Sequence, residues 1–566
     1  MVDLMTYESE NLQGQPWQVY PRPQMRRNSF LNLNGQWDFE FYGGPTVLPI
    51  EYSHNIMVPF CPECQLSGIR EHYPEGTNLF YRRTFSLPED FNKGRVILHI
   101  GAADQMAQVY VNGEFLASHK GGYESFCVDI SHVLKEENTL EICVQDDLKD
   151  QSFPYGKQTM KRGGMWYTPV SGIWQTMWLE SVPEAYISKL NIENRGASVT
   201  ISTEPALDGK VTVNGLGEFA LKDGTVTITP DNPHFWSPED PFLYDFVVEA
   251  GEDKVESYFA LRTLEIKKIG NYQRLCLNGE PYFFHGLLDQ GYWPDGLFTP
   301  ATPKCFADDI LAMKKLGFNT LRKHIKVEPE EFYYQCDKLG MIVFQDMVNN
   351  GDYDFIRDTA LPTIGIQTLN DKKLHRDPVT RDAFLRGMEA TVNQLRNHPC
   401  ILYWTIFNEG WGQFDSDNVY HHLKALDDTR WIDSTSGWFR RKETDVDSRH
   451  VYFKPIRLKA GDKPLVLSEF GGYSYKPEGH VFNTEQTFGY KKFEDPDRFA
   501  AAVEKLYYEQ VIPAAKAGLC AAIYTQVSDV EDETNGLLSY DRKVEKLKEG
   551  RMLPISEALK EAVKEG

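Results

Sequence analysis

No window of about 18 apolar residues occurs anywhere in the chain, so a membrane-spanning helix is not expected. Positive charge is scarce as well. The 60 Lys and Arg are outnumbered by 82 Asp and Glu, and a net charge of −22 repels a phosphate backbone, which argues against nucleic acid as a partner. The nine cysteines are odd in number and scattered, and several (Cys127, Cys143, Cys276, Cys520) fall inside apolar runs. That is the pattern of reduced core thiols rather than of a disulfide framework. Cys61 and Cys64 form a lone CxxC with no second Cys or His pair at ligand spacing, so no zinc site and no other metal is expected. Neither Gly-x-Ser-x-Gly nor His-Glu-x-x-His occurs, which removes the signatures of a serine esterase and a zinc peptidase. The first ten residues carry no basic start and no apolar run, and the expectation is a soluble cytoplasmic protein.

What the chain does have is length and periodicity. Its 566 residues exceed what one core can hold and imply three or four domains. From about residue 30 to 265 short alternating apolar segments are broken by Gly, Pro, Asn and Asp, as in antiparallel sandwiches. Asn112-Gly113 and Asn214-Gly215 each follow such a segment and predict two-residue type I′ hairpins. A boundary near Val182-Pro183 separates two strand sets, giving β-domains over 1–182 and 183–267. From residue 268 the pattern alternates strand and helix. Thr302-Pro303, Asp377-Pro378 and Asp495-Pro496 open helices, and eight apolar runs begin at Tyr282, Thr320, Met341, Ile401, Trp431, His450, Leu465 and Ala521. Eight β/α units over 268–566 make a TIM barrel.

Catalytic groups of such a barrel sit where strands end. The fourth run ends in Asn408-Glu409 and the seventh in Glu469-Phe470-Gly471, so two carboxylates share one mouth. Cleaving a glycosidic bond needs an acid at the leaving oxygen and a carboxylate at the anomeric carbon. A separation of about 5 to 5.5 Å lets the second attack directly, and a wider gap admits a water; sequence leaves both open.

The residues Trp404-Thr-Ile-Phe-Asn408-Glu409-Gly410-Trp411 and Leu467-Ser-Glu469-Phe-Gly471 resemble the acid/base and nucleophile motifs of glycoside hydrolase family 2, which contains β-galactosidases, β-glucuronidases and β-mannosidases. The segments Gly163-Gly-Met-Trp166-Tyr-Thr-Pro-Val-Ser171-Gly172-Ile-Trp174-Gln175 and Phe235-Trp236-Ser-Pro238-Glu-Asp-Pro241-Phe-Leu-Tyr244 resemble its jelly-roll and immunoglobulin-like domains. The resemblance covers essentially the whole chain. It implies a retaining, exo-acting β-glycosidase without a cofactor, with Glu409 as acid/base and Glu469 as nucleophile. It further implies that Asn408 bonds the substrate 2-hydroxyl, that Tyr452 bonds the nucleophile, and that Arg322 and His324 flank it. Trp411 and Trp438 are candidate stacking platforms, with core packing as the rival reading of each. Asp289, Gln290 and Asp346 are candidate hydroxyl binders, with ordinary loop polarity as the rival.

Two departures bear on the substrate. Glu533-Thr534-Asn535 stands where glucuronide-cleaving members carry an Asn-x-Lys pair, and the acidic run 529–533 disfavours a uronic acid. A tryptophan common near the end of the eighth strand is replaced, leaving Tyr524 as the expected plate. The extra Glu and His of magnesium-binding members have no counterpart after the third run, so no metal is expected. The substrate expected is a terminal neutral β-linked sugar, galactose first, glucose or mannose next, glucuronic acid third. The reading from another class is a non-catalytic carbohydrate-binding protein, against which both glutamates stand. The resemblance also implies a homo-oligomer.

Overall fold

The computed structural model describes residues 2–367 and 370–565. The chain opens with an antiparallel sandwich. A six-stranded sheet runs in the order 54–58, 35–43, 77–85, 138–145, 106–111, 114–120, and a four-stranded sheet packs over it. Alternation puts Trp37, Phe39, Tyr81, Leu98, Val109, Ile142 and Leu179 into the space between them. A second sandwich of three and four strands spans 189–259 around Ile201, Val211, Phe246 and Val248.

The predicted hairpin at Asn112-Gly113 forms, with φ of 54° and 82°. The one at Asn214-Gly215 differs. Only Gly215 has positive φ, Leu216 N donates to Val213 O, and Val213 pairs with Gly217, so three residues make the turn. Eight of the nine free cysteines are buried; Cys127 instead lies exposed on strand 126–129.

The eight barrel strands are β1 (Phe284–Asp289), β2 (Thr320–Lys323), β3 (Ile342–Asp346), β4 (Ile401–Asn408), β5 (Trp431–Ser436), β6 (Asp447–Val451), β7 (Leu465–Gly471) and β8 (Leu519–Thr525). All neighbours are parallel, in the order β5-β4-β3-β2-β1-β8-β7-β6, which leaves β5 and β6 without a ladder between them. Asp377 and Asp495 cap their helices, each accepting a backbone N–H. The helix Lys304–Lys315 begins one residue later than expected: Pro303 takes the cap position, and Thr302 turns its hydroxyl to Glu8. Its stripe of Phe306, Ile310 and Met313 is buried as expected.

Two of the eight units lack their helix. β5 runs to β6 through residues 437–446, and β6 to β7 through 452–464. The first link is shorter than the dozen or so residues a helical crossover needs, and the second is broken by Pro455, Gly461 and Pro464. Among the described residues no helix is long and apolar enough to cross a membrane.

Candidate active site

Arg322 organises the barrel mouth. Its side chain points into the lumen from β2 and is 1% exposed. Nε donates to Asp346 Oδ1 (2.9 Å), Nη1 to Glu469 Oε1 (3.0 Å) and Ser468 O (3.1 Å), and Nη2 to Asn408 Oδ1 (2.9 Å). One planar fork thus fixes the ends of β3, β4 and β7. Because Arg322 takes the Asn408 oxygen, the Asn408 amide nitrogen is the end left to donate.

Glu469 is buried, and burial alone would raise its pKa. Its electrostatic interactions with His450 and the Arg322 guanidinium, with the Tyr452 hydroxyl donating to Oε2 at 2.5 Å, instead hold it down at about 2. Tyr452 also lies 3.0 Å from the Thr525 hydroxyl, and its ring stacks on Tyr490 at 3.9 Å.

Glu409 ends β4 with φ of +52°, a backbone conformation uncommon for a residue with a side chain. Gly410 follows at φ +81°, where a Cβ would lie 2.3 Å from the Phe439 ring, so only glycine lets the chain turn there. This turn carries the Glu409 carboxylate to His450, whose Nδ1 is 2.7 Å from Oε1. Glu409, His450 and Glu469 each offer an atom within 4.8 Å of the others.

His450 was not singled out from the sequence. Its Nε2 faces Arg322 Nη1 (3.4 Å) and the Ser436 hydroxyl (3.0 Å). Arginine can only donate, so Nε2 accepts, and the proton on Nδ1 is the one donated to Glu409. The signal was in the sequence: Ser448, His450 and Tyr452 alternate along one strand, so the face that presents Tyr452 also presents His450. The spacing of the three groups alone would admit a metal ion, but the Arg322 guanidinium already supplies positive charge at Glu469 and His450 is committed at both nitrogens, so the trio does not fit one.

The other expected residues divide. His324 Nδ1 lies 2.7 Å from Asp346 Oδ2 and 4.0 Å from Glu469 Oε1; burial, reinforced by Lys157, lowers its pKa to about 4, so it is neutral at pH 7. Trp438 meets His450 edge-on at 5.5 Å. Trp411 is buried, stacked at 5.1 Å on Trp166 of the first sandwich, with Tyr353 against its edge. Trp411 is thus packed into the joint between sandwich and barrel, and Trp438 lies against the ring that meets Glu409.

Asp289 does not stand at the mouth. It pairs in register with Lys323, whose ammonium lies over Phe332 of helix Glu330–Leu339, outside the lumen, and bonds Asp289 at 2.6 Å. Parity along the strand turns both away from the sugar side. Asp346 is likewise taken up by Arg322 and His324, and Gln290 bonds Gln526. Tyr524 also faces outward, against Tyr507 and Phe470, while the next residue, Thr525, reaches the site. Sequence reasoning also missed Tyr490 and the sandwich residue Trp166, which come from distant segments.

Three family models match the chain: "Glycosyl hydrolase 2 galactose-binding domain-like" over residues 69–164, "Glycosyl hydrolases family 2" over 184–262, and "Glycosyl hydrolases family 2, TIM barrel domain" over 270–494. A β-galactosidase of Thermoanaerobacter pseudethanolicus is 27% identical over 490 residues, covering 79% of this chain and 60% of that protein. The Homo sapiens β-glucuronidase is 25% identical over 407 residues, covering 62% and 58%. The chain thus spans about 60% of the length of these curated relatives. Among solved structures, the β-D-glucuronidase of Dictyoglomus thermophilum superposes with a TM-score of 0.72 at 18% identity, over 95% of this chain and 98% of that one. A β-galacturonidase of Eisenbergiella tayi gives 0.68 at 17%, over 96% and 99%. With these architectures in this order, the chain belongs to glycoside hydrolase family 2.

Proposed function

We propose that the protein is a retaining, exo-acting β-glycosidase that releases a terminal neutral sugar, β-galactosides first, using Glu469 as nucleophile and Glu409 as acid/base. The observation that carries this reading is that one oxygen of each carboxylate lies within 4.8 Å of the other, on the short side that direct attack needs. Their surroundings differ in the sense the two roles need. Arg322 and Tyr452 keep Glu469 ionised for attack, whereas Glu409 faces the mouth with the His450 ring as its hydrogen-bond partner and no guanidinium or ammonium beside it among the described residues. In this reading Glu469 attacks the anomeric carbon as Glu409 protonates the leaving oxygen, and Glu409 then deprotonates the water that releases the sugar. Asn408 donates to the 2-hydroxyl, and Trp411 and Trp438 wall the mouth. The chain divides into a sandwich over 1–182, a second over 183–267 and the catalytic barrel from 268.

The similar proteins include a β-glucuronidase and a β-galacturonidase as well as a β-galactosidase. Against a uronide stands Glu533, a carboxylate in the place where an Asn-x-Lys pair would be. Asn535 is spent within the protein, donating to Glu533 and accepting from Gln526.

Initial rates on nitrophenyl β-galactoside, glucoside, mannoside, glucuronide and galacturonide, with Glu469→Gln as control, test the reading. NMR of the first-formed anomer accompanies them. A neutral β-pyranoside preferred, with β-anomer formed first and turnover lost in the variant, is expected. An α-anomer first would overturn retention, and no turnover of any glycoside would leave the carbohydrate-binding protein.

A further inference from the structure

Four lysines are buried in this protein: Lys157, Lys323, Lys326 and Lys546. Three of them have carboxylate partners. Lys323 bonds Asp289 and Glu328, Lys326 bonds Glu328, and Lys546 bonds Asp529. Lys157, 8% exposed, has none. Among the described residues no carboxylate oxygen lies within 4.0 Å of its nitrogen and no acceptor bonds it; only the ring faces of Trp411 (5.5 Å) and Tyr167 (5.7 Å) support the charge. Its stem is buried while its nitrogen keeps no protein acceptor, so all three donors are free for a group entering from the mouth.

Its position is held firmly. The segment 154–158 of the first sandwich is pinned to the barrel. Tyr155 N donates to Asn349 O (3.1 Å) and its hydroxyl to Gly351 O (2.8 Å). Gly156 has φ +68°, and a Cβ there would lie 3.0 Å from Ile325 O, so the strap sits flush on the loop after β2. The ammonium at its end stands over Trp411, two residues past Glu409, and its field reaches His324 beside Glu469.

The same wall holds an acid in the complementary condition. Glu533 is 3% exposed and among the described residues pairs with no cation; its oxygens accept from the Tyr167 hydroxyl and from Asn535 Nδ2 (2.9 Å). The segment that carries Tyr490, whose ring stacks over Tyr452, is laced to the Glu533 segment by Phe488 N donating to Asp532 O (2.7 Å) and Thr534 N to Phe488 O (3.1 Å), which brings Glu533 beside the mouth. Tyr167 thus carries an unpaired ammonium against its face and an unpaired carboxylate at its hydroxyl.

We infer that Lys157 and Glu533 form a split donor and acceptor pair that reads two hydroxyl groups of the bound sugar, Lys157 donating to one oxygen and Glu533 accepting from another. A uronate would meet Glu533 and an amino sugar would meet Lys157, so the pair selects an uncharged polyol ring. This rests on the glycosidase reading above and narrows its substrate class.

The test uses the full chain as wild type, Lys157→Met, Lys157→Arg and Glu533→Gln. Rates are measured on the preferred nitrophenyl β-glycoside, its monodeoxy analogues and the glucuronide. Calorimetry with free galactose, glucose, mannose and glucuronic acid runs alongside. Lys157→Met is expected to lose about 10- to 100-fold in kcat/KM, the usual worth of a charge-assisted hydrogen bond. One monodeoxy analogue should be as poor for wild type as the parent glycoside is for Lys157→Met, with no further loss when both changes are combined. Glu533→Gln should show the same non-additivity at a different hydroxyl, and it carries the test alone if Lys157→Met does not fold. Lys157→Arg should recover part of the rate. Equal loss on every analogue would make Lys157 a packing residue and overturn the pair. Neutral glycosides turned over unchanged by Lys157→Met would overturn the pair and leave the glycosidase reading intact. A wild-type preference for the glucuronide, lost in Lys157→Met, would overturn both the neutral sugar and the pair. Binding of free sugar without turnover by wild type would overturn the glycosidase reading, with the calorimetry of Lys157→Met still deciding the pair.

Discussion

Replacing Arg322 with methionine removes the guanidinium that touches Glu469 and leaves a carboxyl of similar burial with Tyr452, His450 and His324 beside it. At 3.0 Å the lost attraction is about 5 kcal/mol for an effective dielectric of about 20, or roughly 4 pH units. Glu469, held at about 2 in the native site, would then titrate at roughly 6. The assay is the pH dependence of kcat/KM on a dinitrophenyl β-glycoside, whose leaving group needs little protonation, so that the acid limb reports the nucleophile alone. Wild type should be flat from about pH 7 down to about pH 5, because a group titrating at about 2 stays ionised there. Arg322→Met should fall about tenfold per pH unit below about pH 6, and Arg322→Lys should lie between the two. A uniform drop with an unchanged acid limb, in a protein with native near-ultraviolet dichroism, would refute the assignment of Arg322 as the group that keeps Glu469 charged.

Glu409→Ala should slow phenyl glycosides by about 100-fold or more while sparing dinitrophenyl glycosides in the glycosylation step; equal loss on both would remove Glu409 as the acid. Stability should respond to buried histidines. Burial lowers His285 to about 3, and burial together with positive neighbours lowers His99 and His324 to about 4, so each is neutral in the fold but takes a proton on unfolding below its ordinary value of about 6.5. Their contribution is present above that value and is lost as pH falls from about 6.5 toward 4. Buried carboxyls such as Glu63, raised to about 8, act with the opposite sign. The check is therefore a difference: calorimetric proton uptake on unfolding at pH 5 should be about one lower in His285→Asn, and no change would contradict a neutral native His285.

Both glutamates, Asn408, Arg322 and Tyr452 were legible because each lies at a strand end inside a short motif. The residues that moved did so for reasons of parity and distance. Asp289 and Tyr524 also lie at strand ends, but alternate residues of a strand face opposite sides, and register with Lys323 for the one and with Leu287 and Phe470 for the other decides the side. β6 starts three residues before its expected run because Asp447, Ser448 and Arg449 are polar and read as loop. Lys157 and Trp166 reach the mouth from the first sandwich, a relation that no local pattern encodes.

The missing ladder between β5 and β6 makes the catalytic sheet an open ribbon curled on itself, whose circumference is not set by main-chain pairing at that joint. Three hydroxyls stand in for the absent bonds: Ser448 lies 2.6 Å from Ser468, and Ser436 lies 3.0 Å from Ser468. Side-chain links of this kind tolerate shear that a ladder does not. His450 is anchored on one lip of the seam and bonded to Ser436 on the other, so a small slip of β6 along its axis would be felt first as a change in how the imidazole meets Glu409. The joint without a ladder thus lies beside Glu409, away from the guanidinium fork that holds Glu469.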